Sequence, residues 1–384
     1  MTRNGLRVLL AGLFLLFISL SLSSAAFLAA ALMLLVTLLY SLLSVSFSRH
    51  CLHVRFSLDI QEAARGDTVM AQILPARLHA ALPVGACTAS LALPDGTLSH
   101  LILHAGEPVH IPLFCRHVGL WPVGVRNTYV HDLFGLWQAQ LPVPPAVELL
   151  VRPVPFSVPS LAFAPGENGL GTMANATEDL SSPSDVRAYM HGDPLKKIHW
   201  KLSARRQELV VRRFDAPIYP QALMLLNTRL PENAGRQSAD LNDALMETCA
   251  SCLLSCRAQN ETLLFPLYAT PPMLLSTDLS EQVLLNALAR AKLDASASFP
   301  QMMALESRCL RTSGATLIVS SCLSGDMVEE MLHLRKLGPS LRLYLVTDTP
   351  DNPDLTPFIV QLQDGLCEVC FVTPQPAMPE ASSP

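Results

Sequence analysis

Between Val8 and Ser48 the chain has no Lys, Arg, Asp or Glu. At about 1.5 Å per helical residue such a run would be roughly 60 Å long, twice the ~30 Å hydrocarbon core of a bilayer, so a single crossing is excluded and two are predicted. Small polar residues at Ser21 to Ser24 place the turn. The expected pair of transmembrane helices is Val8–Leu20 and Ala25–Phe47. Three catalytic motifs are also missing: Gly-x-Ser-x-Gly, His-Glu-x-x-His and a Walker loop. Nothing therefore nominates a nucleophile with its base, or a phosphate cradle. A formal net charge of -5 denies the chain the basic surplus that nucleic-acid binding needs. Ten cysteines in 384 residues do not make the dense framework of a small secreted scaffold. Most lie in apolar context, as reduced buried thiols do.

What is present orients the hairpin. Arg3 and Arg7 precede the first crossing, and Arg49, His50, His53 and Arg55 follow the second, while the turn is uncharged. Positive flanks on both sides put both ends, and everything after residue 50, in the cytoplasm. A cleaved signal peptide is the competing reading, with Ser24-Ala25-Ala26 as its small-residue site. Cleavage would leave Phe27 to Phe47 as a stop-transfer helix and the same cytoplasmic outcome.

Residues 51–153 show eight short alternating apolar runs punctuated by Pro and Gly, which predicts a β-sandwich or small barrel. Residues 154–184 have no Lys or Arg and are rich in Pro, Ser, Ala and Gly, the composition of a linker. From 218 to 373 strand-like and helix-like runs alternate, which implies a mainly parallel sheet covered on both faces. Strands are expected at Ala222–Leu226, Leu263–Tyr268, Thr316–Ser320, Leu341–Val346 and Glu368–Val372. Helices are expected near Ala239–Gln259, Leu279–Leu293, Gln301–Thr312 and Asp326–Leu337. Residues 374–384, rich in proline, read as a disordered tail.

Residues 185–217 stand apart as a basic segment. From Asp185 to Asp215 there are eight Lys or Arg against four Asp or Glu. Asp193 with Pro194 predicts a helix N-cap and first turn. At ~100° per residue, Leu195, Ile198 and Leu202 would share one stripe, with Lys196, Lys197, Lys201 and Arg205 around the other side. Leu209–Phe214 alternates as a strand would. Cys249, Cys252 and Cys256 fall at core spacing on a helix; pairing them with Cys367 and Cys370 at zinc would need turns that the pattern lacks.

The ordered set Arg187, Tyr189, Gly192, Asp193, Lys197, Ile198, Trp200, Lys201, Ser203, Ala204, Arg205, Val211 and Arg212 resembles the signature of the family called domain of unknown function fifty-eight. Gly119-Leu120-Trp121-Pro122-Val123-Gly124 and Asp132-Leu133-Phe134-Gly135-Leu136-Trp137 are similar to its upstream elements, which extends the resemblance over essentially the whole chain. His191, Pro194 and His199 depart from the pattern, the last two replacing acidic residues. The resemblance implies a membrane-anchored protein, a C-terminal domain similar to von Willebrand A (Rossmann-type α/β), and a MoxR-type AAA+ ATPase as partner. Such domains often hold Mg²⁺ through Asp-x-Ser-x-Ser. Here Asn227-Thr228-Arg229-Leu230-Pro231 supplies no carboxylate, so neither metal nor cofactor is expected. Asp326 is the leftover acidic candidate, with helix capping as its plainer role.

The signature segment admits three readings. Arg187, Asp193 and Arg205 form a buried ion network that only locks the fold. Alternatively, Tyr189 and Trp200 anchor an acidic protein partner that Lys196, Lys197 and Lys201 steer. Or the cations meet anionic lipid head groups. The expected function is a non-enzymatic scaffold coupling an AAA+ ATPase to a membrane or envelope process. An enzyme built around Asp185, Asp193 and His199 is the alternative.

Overall fold

The computed structural model describes residues 2–22, 24–77, 86–94, 96–104, 106–159, 183–190, 198–214, 221–231, 237–293, 298–337 and 339–375. Side chains of 183–187, 212–214, 308, 311, 312 and 337 are outside that description, as are the expected linker from 160 to 182 and the tail from 376. The chain divides into two compact units, one mainly Met1–Val154 and the other mainly Pro155–Leu284 with Ala291–Gln375.

The first unit opens with α1 (Arg3–Leu22) and α2 (Ala25–Cys51), two helices long and apolar enough to cross a membrane. Both run past the expected ends, because Thr2 and the last turns of α2 find protein partners. Gly5, Gly12 and Ser19 are the buried positions of α1, and Ala31, Leu38 and Val45 repeat at the same interval on α2. A seven-residue repeat of small against larger apolar side chains lets two helices pack closely along one seam. The remaining faces carry exposed Leu10, Phe14, Phe17, Leu32, Met33 and Val36. With 27 residues α2 rises about 40 Å, more than the ~30 Å of a hydrocarbon core. Its C-terminal turns instead bury Ser41, Ser44, Val45, Ser48 and Cys51.

Among the described residues nine strands follow: β1 (Leu52–Leu58), β2 (Glu62–Ala64), β3 (Thr68–Arg77), β4 (Cys87–Ala92), β5 (Leu98–Leu103), β6 (Val109–Phe114), β7 (Gly119–His131), β8 (Gln138–Gln140) and β9 (Val147–Arg152). They form a three-stranded sheet, β1-β3-β6, and a six-stranded sheet, β2-β9-β7-β4-β5 with β8 beside β7. Alternate residues of both sheets, among them Val54, Ile73, Leu113, Leu91, Val125 and Leu149, meet in one core that also takes in Val45 of α2. At Gly124 β7 passes so near the chain before β9 that an added Cβ would lie 2.9 Å from Ala146 Cα.

The second unit contains β10 (Pro183–Ala188), α3 (Trp200–Arg206), β11 (Val210–Phe214), β12 (Gln221–Leu226), α4 (Ser238–Ala258), β13 (Thr262–Leu267), β14 (Met273–Ser276), α5 (Glu281–Arg290), α6 (Phe299–Leu305), α7 (Ser307–Thr312), β15 (Ala315–Ser320), α8 (Gly325–Leu337), β16 (Ser340–Val346), α9 (Thr356–Asp364) and β17 (Glu368–Val372). Only the first turn of α5 belongs to it. Its main sheet runs β14-β13-β12-β15-β16-β17, parallel except for β14. Every residue of β15 and all but the first of β12 and β16 are buried or nearly so, as expected for strands covered on both faces. Leu223, Leu225, Ile318, Leu343 and Leu345 pack with Met302, Met331 and Leu362 from α6, α8 and α9. Tyr344 faces the other way, toward Cys252 of α4. The single helix expected over Gln301–Thr312 is two, broken at Glu306, whose carboxylate accepts from Tyr268 Oη at 2.7 Å.

Candidate functional site

The signature segment is a small β-α-β unit. β10 and β11 pair antiparallel, with Arg187 opposite Val211 and Ala188 opposite Val210, and Tyr189 N donates to Leu209 O at 2.8 Å. Ile198 forms an isolated bridge with Val211 and is buried, so it belongs to the strand side and not to a helical stripe. α3 begins at Trp200, with Ile198 paired to β11 before it, while the helical start expected at Asp193 and Pro194 lies outside the described residues. His199 N donates to Val210 O at 2.8 Å, and His199 Nδ1 accepts from Leu202 N at 3.3 Å, which makes His199 the N-cap of α3. Ser203 points inward and accepts from Val210 N at 2.9 Å, fastening the helix to β11. Gln207, at φ 51°, ends the helix in the left-handed conformation.

That geometry leaves an outward face. Trp200 is 63% exposed, and Lys201, Arg205 and Arg206 are exposed beside it. The exposure of Arg205 speaks against a buried place for it, while its expected ion-network partners, the side chains of Arg187 and Asp193, lie outside the described residues. Tyr189 is half-buried, and the Arg187 side chain is outside the described residues. Gly192, Asp193, Lys196 and Lys197 are outside them too. Among the described residues the segment thus brings together one aromatic ring and three cations.

A second place of interest is the carboxyl edge of the parallel sheet, where β12 and β15 end side by side and the chain leaves them in opposite directions. Asn227 Nδ2 donates to Ser320 Oγ at 3.1 Å, and Asn227 Oδ1 accepts from Arg229 N at 3.1 Å. Ser321 Oγ donates to Arg229 O at 3.2 Å. These neutral pairs close the edge, and the amide presents N–H donors where a hard cation would need oxygen. Sequence reasoning passed over Ser321 and Cys322; two small polar residues directly after a buried strand that ends in Ser320 were the available signal. Burial pushes the Cys322 thiol up, against the pull of Ser320, Arg229 and Asn227. Asp326 is exposed in the first turn of α8, and Ser324 Oγ, not Asp326, accepts from Met327 N.

Behind the sheet, Arg342 is buried and bonded to Glu368 Oε2 at 2.5 Å, Pro159 O at 3.0 Å and Tyr344 Oη at 3.4 Å. Burial drives the Cys252 and Cys256 thiols up to about 12, so they are protonated fillers and not nucleophiles. In the first unit, Arg49, His50, His53, Gln140, Leu141 and Pro142 line an open cleft of about 470 Å³ at the end of α2.

No curated protein matches the chain. Among solved structures, the PKD domain of a Thermoplasmatales archaeon peptidase is 13% identical, covering 26% of this chain and 91% of its own, with a TM-score of 0.20. The cohesin module of a Clostridium perfringens family 33 glycoside hydrolase is 11% identical over 26% of this chain and 96% of its own, at 0.22. Cwp6 from Clostridium difficile is 8% identical over 83% of this chain and 45% of its own, at 0.17. Likenesses this slight carry no argument. The sequence of the signature segment and the sheet after it is another matter: residues 185–337, less than half of the chain, match the family described as Protein of unknown function DUF58, and over that span the chain is similar to it.

Proposed function

We propose that the protein is a membrane-anchored, non-enzymatic adaptor that presents the Trp200 face to a MoxR-type AAA+ ATPase, with ATP hydrolysis belonging to the partner. The single observation carrying this reading is the exposed indole of Trp200 among Lys201, Arg205 and Arg206, on a helix fixed from beneath by Ser203. An aromatic anchor ringed by cations is the composition of an interface centre, and a rigid support keeps the ordering cost of binding low. The apolar hairpin supplies the anchor, with both termini cytoplasmic by its positive flanks. Basic residues at the exit of α2 suit anionic lipid head groups there. The nine-stranded part reads as a β-sandwich. The order β14-β13-β12-β15-β16-β17, with β14 alone antiparallel, supports a von Willebrand A-like domain whose metal edge is closed by Asn227. An enzyme built around Asp185, Asp193 and His199 has less support, since His199 Nδ1 is engaged as a helix cap.

The test is capture of the ATPase from detergent extract, with and without ATP, by the full chain and by a Trp200→Ala, Lys201→Glu, Arg205→Glu variant, the bound protein being identified by mass spectrometry. Loss of an AAA+ ATPase from the variant's eluate supports the reading. Equal capture by both eliminates this face. Replacing Lys196, Lys197 and Lys201 with Glu should act in the same direction.

A further inference from the structure

The turn between β7 and β8 has an unusual tip. Asp132 at its base accepts from Phe134 N at 3.1 Å and Trp137 N at 2.8 Å, and Gly135 takes the positive φ of 66°. Turns of this build normally carry polar residues at the tip. Here the tip is Leu133 and Phe134, each 58% exposed. Two adjacent large apolar side chains held out by a turn with all these internal bonds are not there to fill the core.

The same turn is bonded to both helices of the hairpin. Thr2 N donates to Leu136 O at 2.9 Å, and Thr2 Oγ1 donates to Gly135 O at 2.7 Å. From the other helix, Ser41 Oγ donates to Asp132 Oδ2 at 2.5 Å. The depth of the helices therefore sets the depth of the turn. Beyond Ser41, α2 packs on protein through Ser44, Val45, Ser48 and Cys51 while Leu42, Leu43 and Phe47 stay exposed, so an apolar outer face runs through the level at which Ser41 meets the turn.

We infer that Leu133 and Phe134 form an interfacial wedge, inserted at the boundary between head groups and acyl chains of the same bilayer leaflet that the hairpin enters. The occupant of this apolar tip is lipid, because the turn is bonded at the level where the helices keep exposed apolar side chains, Leu6 one turn after Thr2 and Leu42 and Leu43 next to Ser41. The wedge fixes the angle at which the β-sheet unit stands on the membrane. This inference rests on the hairpin spanning the bilayer, as proposed above.

The test uses the full chain in phosphatidylcholine–phosphatidylglycerol vesicles with bromine either near the acyl carbonyls or near the chain ends. Phe134→Trp adds an indole at the tip, and Leu13→Trp adds one on the exposed face of α1. With a wedge seated about 5–10 Å into the boundary, the emission added at 134 falls about twofold with shallow bromines, less with deep ones, and little with aqueous iodide. Quenching of that emission by iodide alone, while Leu13→Trp responds to deep bromines, overturns the wedge and leaves the hairpin standing. If Leu13→Trp also ignores both bromolipids, the hairpin reading fails and the wedge with it. Phe134→Trp keeps an aromatic at an exposed position, and an unchanged melting temperature verifies that the turn is intact.

Discussion

Ser41 on α2 and Asp132 at the end of β7 share a buried hydrogen bond of 2.5 Å across 91 residues of sequence. With the Phe134 and Trp137 amides it gives the Asp132 carboxylate three donors in a site only 5% exposed. Asp132→Ala strands both amides and should cost about 3 kcal/mol, while Ser41→Ala removes one donor and should cost about 1 kcal/mol. Thermal unfolding in detergent gives both values. An Asp132→Ala loss no greater than that of Ser41→Ala would mean that the amides do not depend on the carboxylate.

The cap of α3 gives a second prediction. The Leu202 amide donates to His199 O at 2.9 Å and also to His199 Nδ1 at 3.3 Å, a long bond for a cap. His199→Asp puts a shorter acceptor and a negative charge at a helix N-terminus, and should slow exchange of the Leu202 amide. His199→Ala should speed it, at a cost of about 1 kcal/mol to the helix. Hydrogen exchange followed residue by residue distinguishes the two directions. Faster exchange in His199→Asp would show that the ring is held there for another reason.

The close approach at Gly124 is a matter of space. An added methyl would sit 2.9 Å from Ala146 Cα and 3.2 Å from its Cβ, so Gly124→Ala must push two segments of backbone apart. We expect a loss of about 1–3 kcal/mol, read from the urea midpoint. Ala146→Gly in the same chain removes only the Cβ contact and should recover less than half of the loss.

Local chemistry wrote some of this into the sequence. Leu341–Val346 is a strand within one residue, because burial on both faces needs apolar residues throughout, and Glu368–Val372 is a strand as its apolar run indicated, although it lies at the sheet edge with none of its residues fully buried. Leu195, Ile198 and Leu202 share a helical stripe by spacing, yet Ile198 pairs with Val211 and α3 starts after it, a choice that only β11 could impose. β14, with Leu274 exposed and two prolines just before it, has no periodicity to read and is placed by pairing with β13. The exposed face at Trp200 was half legible: the residue types were evident, but which of them turn outward depended on Ser203 reaching β11. The bond from Ser41 to Asp132 could not be read at all, since nothing local joins a serine in an apolar helix to a turn after β7.

The buried thiols predict how stability responds to alkali. Burial raises the Cys87 and Cys115 thiols to about 11, with Asp67 adding to the second, and raises Cys252 and Cys256 to about 12, against 9.0 for an ordinary thiol. Well below pH 9 these thiols are protonated whether the chain is folded or not, and the stability linked to them is fully present. As pH nears and passes 9 the unfolded chain releases protons that the folded chain retains, so unfolding is favoured, and the loss completes as pH passes the folded values. Each of these thiols should therefore cost about 1 kcal/mol by pH 10. Urea midpoints at pH 7.5, 9 and 10 should fall a little over the first interval and mostly over the last, roughly in proportion to the number of buried thiols retained. Cys252→Ala with Cys256→Ala should lower stability at neutral pH through lost packing and yet flatten the alkaline slope. An alkaline slope unchanged by that pair of substitutions would assign the loss to other groups, such as the Tyr344 phenol, which burial also raises.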